Sequence, residues 1–219
     1  MEAIRTAALS CNRNPEDISL VGVSKKQRIE TVRAGIEAGV TILGENYIQE
    51  AAQKIEAIGN TSVSWHFIGH LQSNKAKLAV GYFDLIHTVD SLKLAKAIDR
   101  QARAIGKIQS ILLQVNISNE QSKSGAGPDL TVTLARQIAG LEHVAIKGLM
   151  GMPPFFDDPE RARPFFRALA GIRKAIDAEG IPGISMDHLS MGMSGDFEVA
   201  IEEGATLVRI GTALFGERP

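Results

Sequence analysis

The chain is short of the residues from which several protein classes are built. Cys11 is the single cysteine among 219 residues, so no intramolecular disulfide framework can form, in keeping with a reducing compartment. One tryptophan, two tyrosines and an aromatic content of 5% leave the core to aliphatic side chains, in a sequence that is 44% hydrophobic. Lys+Arg 24 against Asp+Glu 25 leaves a formal charge of -1. There is thus no net field to draw nucleic acid or an anionic membrane, and a charged ligand has to be held by local groups. Lys75, Lys77 and Arg100 are balanced by nearby acids and read as solvated helix faces. No run approaches the roughly 20 apolar residues of a membrane span, and the N-terminus alternates charge with alanine, unlike a signal peptide. The expectation is a cytoplasmic protein that binds neither nucleic acid nor membrane. No apolar stripe demands a partner, which favours a monomer. The five histidines show no ligand spacing with Cys11 or with carboxylates, so no metal is expected.

What is present is a regular alternation. Apolar, β-branched runs at Ile18–Lys25, Thr41–Asn46, Ser64–Gly69, Leu85–Asp90, Gln109–Asn116, Ala145–Met150, Ile184–Met191 and Thr206–Phe215 predict strands. Amphipathic stretches at Arg28–Ala38, Tyr47–Ala57, Asn74–Ala79, Ser91–Ile105, Asp129–Ala139, Pro159–Ala178 and Gly195–Glu203 predict the helices between them, with a short helical extension before the first strand. Repeated βα units mean a parallel sheet, and eight of them predict a single (β/α)8 TIM-type barrel across residues 1–219 rather than an open doubly wound sheet.

Barrel closure would pair the last strand with the first, setting Arg209 beside the strand that carries Val21, Val23 and Lys25. Alternation along that strand gives those three one face, and Lys25 falls where the apolar pattern ends, at the C-terminal mouth. Arg209, between Val208 and Ile210, is expected to be buried and therefore to need a carboxylate or a ligand. The segment from Leu189 to Asp196 is small and hydroxyl-rich and leads into a helix. Such a helix start collects anions through its unpaired N–H groups, phosphate above all. A glycine-rich loop from Ser122 to Pro128 belongs on the same rim, after strand five.

The residues Val23-Ser24-Lys25, Gly44-Glu45-Asn46-Tyr47, Trp65 through Lys75, His87 through Ser91, Val115 through Ser118, Gly148-Leu149-Met150 and the closing motif together resemble the pyridoxal-phosphate homeostasis proteins. Those are small barrels similar to the N-terminal domain of alanine racemase. The resemblance covers nearly the whole chain, with Trp65–Lys75 and Leu189–Ser194 as its specific blocks. It implies an α/β barrel of that type that binds pyridoxal 5'-phosphate, with Lys25 holding it as an internal aldimine. It also implies that Ser194, Gly211 and Thr212 hold the phosphate and that Arg209 faces the pyridine nitrogen. Lys26 and Gln27 stand where many relatives carry a threonine and a second lysine, and His70 where some carry proline.

Plainer explanations exist for each residue. A strand-end lysine is ordinarily a solvated charge. Arg209 could pair with Asp187 or Glu45, and Ser194 could be a helix N-cap worth about 1 kcal/mol. Asn46 either reaches the ring substituents of the cofactor or caps the next helix. Trp65, His66 and His87 read as an aromatic and imidazole group with core histidines, and Met191 and Met193 as packing residues. An arginine at the ring nitrogen keeps that nitrogen unprotonated and weakens the electron sink. This favours holding the cofactor, or restricted chemistry such as racemisation; the resemblance implies the first, a carrier without robust catalysis that serves intracellular cofactor homeostasis and hands its load to apoenzymes that need it. The alternative is an amino-acid racemase, which needs two opposed bases where Lys25 supplies one; Tyr47 and Tyr82 are the only tyrosines. With Pro219 soon after strand eight, no second domain is expected over the mouth, which also favours the carrier. A barrel enzyme acting on phosphorylated sugars, with Lys25 condensing with a sugar carbonyl, is a third reading.

Overall fold

The computed structural model describes residues 1–59, 62–118, 120 and 124–216. Within them eight parallel strands, β1 (Ser19–Val23), β2 (Ile42–Glu45), β3 (Ser64–Phe67), β4 (Leu85–Val89), β5 (Gln109–Val115), β6 (Val144–Gly151), β7 (His188–Met193) and β8 (Leu207–Ile210), close into a barrel in sequence order. Closure comes from β8 lying against β1 with Val21 opposite Arg209 and Gly22 opposite Ile210. The open sheet is thereby excluded. Helices α2 (Ile29–Glu37), α3 (Ile48–Ile58), α4 (Ala76–Tyr82), α5 (Leu92–Ala104), α6 (Pro128–Ala139), α7 (Arg163–Ala178) and α8 (Phe197–Glu202) fill the connections.

The helices form because their apolar residues recur on one face. In α5, Leu94, Ala95, Ile98 and Ala102 are buried, and Ser91 caps the start by accepting from the Leu94 N–H. Strands covered by helices outside and by each other inside are buried on both faces, as every residue of β4 is, His87 and Thr88 included. The N-terminal helix α1 (Glu2–Ser10) joins the outer layer beside α8. Arg13, just past it, donates to the carbonyls of Ile201 in the last turn of α8 and of Ala205 in the loop after it, at 2.6 and 2.8 Å. Among the described residues no helix is long and apolar enough to cross a membrane.

Three strand or helix ends differ from the sequence reading. β1 stops at Val23, and Lys25 lies in a turn closed by the Gln27 N–H donating to the Ser24 carbonyl at 3.0 Å. β8 stops at Ile210, and Thr212–Phe215 is a short helix, α9, where a continuing strand was expected. β7 runs later than expected, so α8 starts at Phe197 with Asp196 at its cap position. Apolar runs mark burial and leave open whether a strand or a helix does the burying. Bulges also matter: three residues from Ser190 to Met193 span two from Leu207 to Arg209, and β4 against β5 slips likewise between Ile86 and Val89. Gly192 serves the first bulge with φ of 90°, and a Cβ there would meet the Ala200 Cβ at 2.6 Å.

Candidate functional site

The inside of the barrel is layered. Val21, Leu85, Leu112, Met150 and Leu207 form an apolar plug. Threaded through the same interior is a line of polar side chains, and its upper member is Arg209. One guanidinium nitrogen, Nη1, donates to Ser190 Oγ at 2.6 Å and the other, Nη2, to the Gly151 carbonyl at 3.1 Å. Ser190 Oγ lies 2.9 Å from His87 Nδ1, and His87 Nε2 lies 3.0 Å from His66 Nδ1. Arg209 can only donate, so Ser190 accepts from it and satisfies its own proton by donating to His87 Nδ1. His87 then carries its proton on Nε2 and donates to His66. The chain has a single direction when every member is satisfied.

Burial keeps both imidazoles neutral. It holds the His66 pKa down at about 4, with His188 adding to the shift and Asp84 opposing it. For His87 burial again comes first, followed by His66 and Arg209, and its pKa falls well below the ordinary value. Arg209 is lowered to about 10 by burial, partly offset by Asp196, and remains a cation at neutral pH. Neither Asp187 nor Glu45 contacts it: Ser185 donates to Asp187, and Glu45 is engaged by Lys54 and Ser24. The ion-pair explanation of Arg209 is therefore excluded, and a buried cation stands with only neutral acceptors.

The remaining predicted residues sit on the C-terminal rim. Lys25 is half-buried in the turn after β1. Ser194 and Gly195 are exposed in the turn after β7, while Gly211 and Thr212 begin α9, next to Val23 at the top of β1. The backbone hydrogen bonds of the described residues include none donated by Ser194, Gly195, Gly211 or Thr212. Ser194 is not a helix cap, because Asp196 takes that position and accepts from the Met193 N–H at 2.6 Å. Asn46 is not a cap either; Tyr47 occupies that place, and Asn46 Oδ1 is buried with no hydrogen-bond partner. It lines a rim cavity of about 380 Å³ with Gly69, Thr88 and Met193. A larger cavity of about 780 Å³ lies at the opposite end, between α1 and the starts of β1 and β2.

Gly69 makes room for Asn46. A Cβ on it would come within 2.2 Å of the Asn46 carbonyl oxygen, and Thr88 Oγ1 pins the Gly69 carbonyl at 2.6 Å, so neither side can yield. Gly69→Ala is expected to cost about 2 kcal/mol or more in denaturant unfolding and to displace Asn46 from the rim; a stability within 0.5 kcal/mol of wild type would contradict this.

Several expectations changed at this level. Trp65 turns outward into the main core, apart from the two histidines, because neighbours on a strand face opposite sides. Met191 is fully buried, whereas Met193 is partly exposed at the rim. The glycine-rich loop reaches the rim as expected for residues 124–127, where Ala126 bridges back to β5; Ser122 and Lys123 lie outside the described residues. Sequence reasoning did not assign Ser190 or Lys54. The position of Ser190, three residues from Arg209's bulged partner Met193, carries no sequence signal, and Lys54 looks like any helix lysine. Among the described residues no three His, Cys, Asp or Glu side chains group in a way that could hold a metal ion.

The alanine racemase N-terminal domain family matches residues 17–219. A pyridoxal phosphate homeostasis protein of Aquifex aeolicus is 42% identical over 218 residues, spanning 100% of this chain and 95% of that protein. The solved structure of PipY from Synechococcus elongatus PCC7942, with PLP bound, is similar at a TM-score of 0.85 and 35% identity, covering 99% of this chain and 100% of that one. An alanine racemase of Clostridium difficile 630 shares the fold at a TM-score of 0.77 and 18% identity, with 100% of this chain spanning 58% of it. A barrel closed in strand order, matched over its whole length by such relatives, belongs to the pyridoxal phosphate homeostasis protein family, built on the alanine racemase N-terminal domain.

Proposed function

We propose that this chain binds pyridoxal 5'-phosphate at the C-terminal mouth of its barrel and holds it without robust catalysis. The observation that carries the reading is Arg209: a guanidinium buried to 4% exposure whose acceptors are a serine hydroxyl and a carbonyl. A pyridine nitrogen is a neutral acceptor suited to a donor that never gives up its proton. The rest of the rim fits the same molecule. Four backbone N–H groups, at Ser194, Gly195, Gly211 and Thr212, carry no backbone acceptor and suit a phosphate, and the orphaned Asn46 Oδ1 suits a ring hydroxyl. Lys25 is the attachment residue. The cofactor would supply an aldehyde carbon that the Lys25 amine would hold through a C–N bond, the carbonyl oxygen leaving as water.

The residue roles follow from their chemistry. Arg209 donates to the ring nitrogen and so keeps it unprotonated, which weakens the ring as an electron sink. Ser190 and His87 hold the guanidinium in place. The backbone N–H groups anchor the phosphate with charge-assisted hydrogen bonds worth roughly 1.5–3 kcal/mol each. A cytoplasmic monomer that passes its load to apoenzymes is the role these features suit.

Racemase activity is the second reading, since the fold is shared with alanine racemase. It requires a base opposite Lys25. Tyr82 donates to Glu56 at 3.1 Å on the outer helical layer, and Tyr47 is exposed at the start of α3. We expect saturable binding with a visible adduct band, and no alanine racemisation above background. Turnover at tens per second, an ordinary enzyme rate, would overturn the carrier reading.

A further inference from the structure

Both neighbours of Lys25 are gripped by one buried ionic cluster. Lys54, on α3, is 3% exposed, and Glu45, the last residue of β2, is fully buried. Lys54 Nζ donates to Glu45 Oε1 and to Glu50 Oε1, each at 2.7 Å, and to the Ser24 carbonyl at 2.5 Å. These three acceptors use all three protons of the ammonium. Ser24 Oγ donates to Glu45 Oε1 at 2.7 Å, and the backbone N–H of Lys26 donates to Glu50 Oε1 at 2.5 Å. In the run Ser24-Lys25-Lys26, the first residue is therefore held at its hydroxyl and its carbonyl and the third at its amide.

The held conformation is not a relaxed one. Lys26 has φ of 59°, a left-handed geometry that costs a residue with a Cβ roughly 1–2 kcal/mol. The bond from its amide to Glu50 secures that geometry. Stability is a poor reason for such a cluster, because buried ion pairs can often be replaced by apolar side chains with no loss. Elsewhere, Lys107 and Arg13 also donate to backbone carbonyls, but those carbonyls lie in the last turns of α4 and α8 or just past them. Lys54 is different in that its carbonyl adjoins Lys25.

We propose that Lys54 is a positioning residue: with Glu45 and Glu50 it sets the turn that aims the Lys25 amine at the aldehyde of the incoming cofactor. The inference rests on the reading of Lys25 as the attachment residue. Lys54 acts through the backbone and touches no reacting atom. A misplacement on the scale of 1 Å can slow bond formation about a hundredfold, so a small shift of this turn is enough.

The test separates attachment from binding. Pyridoxal 5'-phosphate reports attachment through the rate at which its adduct band appears, followed across pH. Pyridoxine 5'-phosphate, which has the ring and the phosphate but no aldehyde, reports binding alone. Lys54→Met is expected to slow adduct formation at least tenfold while changing the affinity for pyridoxine 5'-phosphate less than twofold. Lys54→Arg, which restores the charge, should recover most of the rate. Glu50→Ala alters a partly exposed residue, leaves the Lys54–Glu45 pair in place and should slow the reaction about threefold, so the question stays answerable if Lys54→Met does not fold. Unchanged rates in the folded variants, or equal losses with both ligands, would reduce the cluster to scaffolding and overturn the proposal. Borohydride reduction of the wild-type protein distinguishes the other failure: an adduct on a peptide lacking Lys25 refutes the attachment residue itself.

Discussion

Lys25→Ala is expected to abolish covalent retention of pyridoxal 5'-phosphate entirely. After borohydride reduction and denaturation, the wild-type protein should keep one cofactor per chain, and the variant none. The neighbouring Lys26 should not substitute, because its amide is tied to Glu50 and its backbone is held in a left-handed turn. Reversible binding should survive. The donors assigned to the phosphate and the ring belong to β7, β8 and the loops after them, so removing the amine leaves Arg209 and four backbone N–H groups in place. An affinity weakened by roughly tenfold, about 1.4 kcal/mol, is expected, with loss of the visible band. A variant that still traps cofactor covalently, or one that no longer binds pyridoxine 5'-phosphate at all, would show that the amine and the phosphate pocket are not divided in this way.

Acid should unfold this protein earlier than its surface would predict. His66 is held at a pKa of about 4 by burial, against an ordinary value of 6.5. The unfolded chain therefore takes up a proton that the folded chain refuses, and stability is lost as pH falls from 6.5 towards 4. For a pKa depressed in the folded state the contribution is fully present above 6.5 and gone once the pH drops below about 4. The difference is about 3 kcal/mol from His66 alone, a large share of the roughly 5–15 kcal/mol that holds a domain folded. His87 shifts in the same direction and adds to the slope. His66→Gln offers an acceptor to His87 Nε2 without titrating, so it separates the two effects. Denaturant midpoints measured across this range should fall steeply in the wild type and more gently in the variant. Parallel curves would mean that His66 does not titrate with folding. Because the same line of bonds ends on Arg209, the acid-weakened protein is also expected to lose cofactor before it unfolds.

The polar line and the Lys25 turn stand on different supports. The first runs through the inside of the barrel from His66 to Arg209, whereas the second is braced from outside by α3 through Lys54. Changes to one should therefore leave the other's readout intact. His66→Gln should move the pH dependence of stability without slowing adduct formation, and Lys54→Met should do the reverse within the folded range.

How much was legible beforehand depends on the range of the interactions concerned. Burial periodicity is a local property, so the eight βα units and the barrel they form could be read from the chain. The pairing of Arg209 with the Val21 strand followed once closure was assumed. The ends of β1 and β8 were misplaced because apolar residues continue past them into a turn and a short helix. The role of Ser190 was invisible. It bonds to His87, 103 positions away, across the interior, and both residues sit at register shifts of their strands. Lys54 was hidden for a similar reason: its carboxylate partners lie nearby in sequence, yet the carbonyl it holds is 30 positions distant.

By itself the sequence determined in what order strands and helices alternate, that the apolar runs are buried, that an arginine belongs to the last strand and that a lysine falls near the end of the first. Those properties follow from the period of apolar side chains along a backbone with few conformations. Only the tertiary structure decided which neutral acceptors surround Arg209, which tautomer His87 adopts and what holds the turn at Lys25. A hydrogen bond requires two groups within about 3 Å, and the pairs that matter here are brought that close by closure of the barrel, not by their neighbours in the chain.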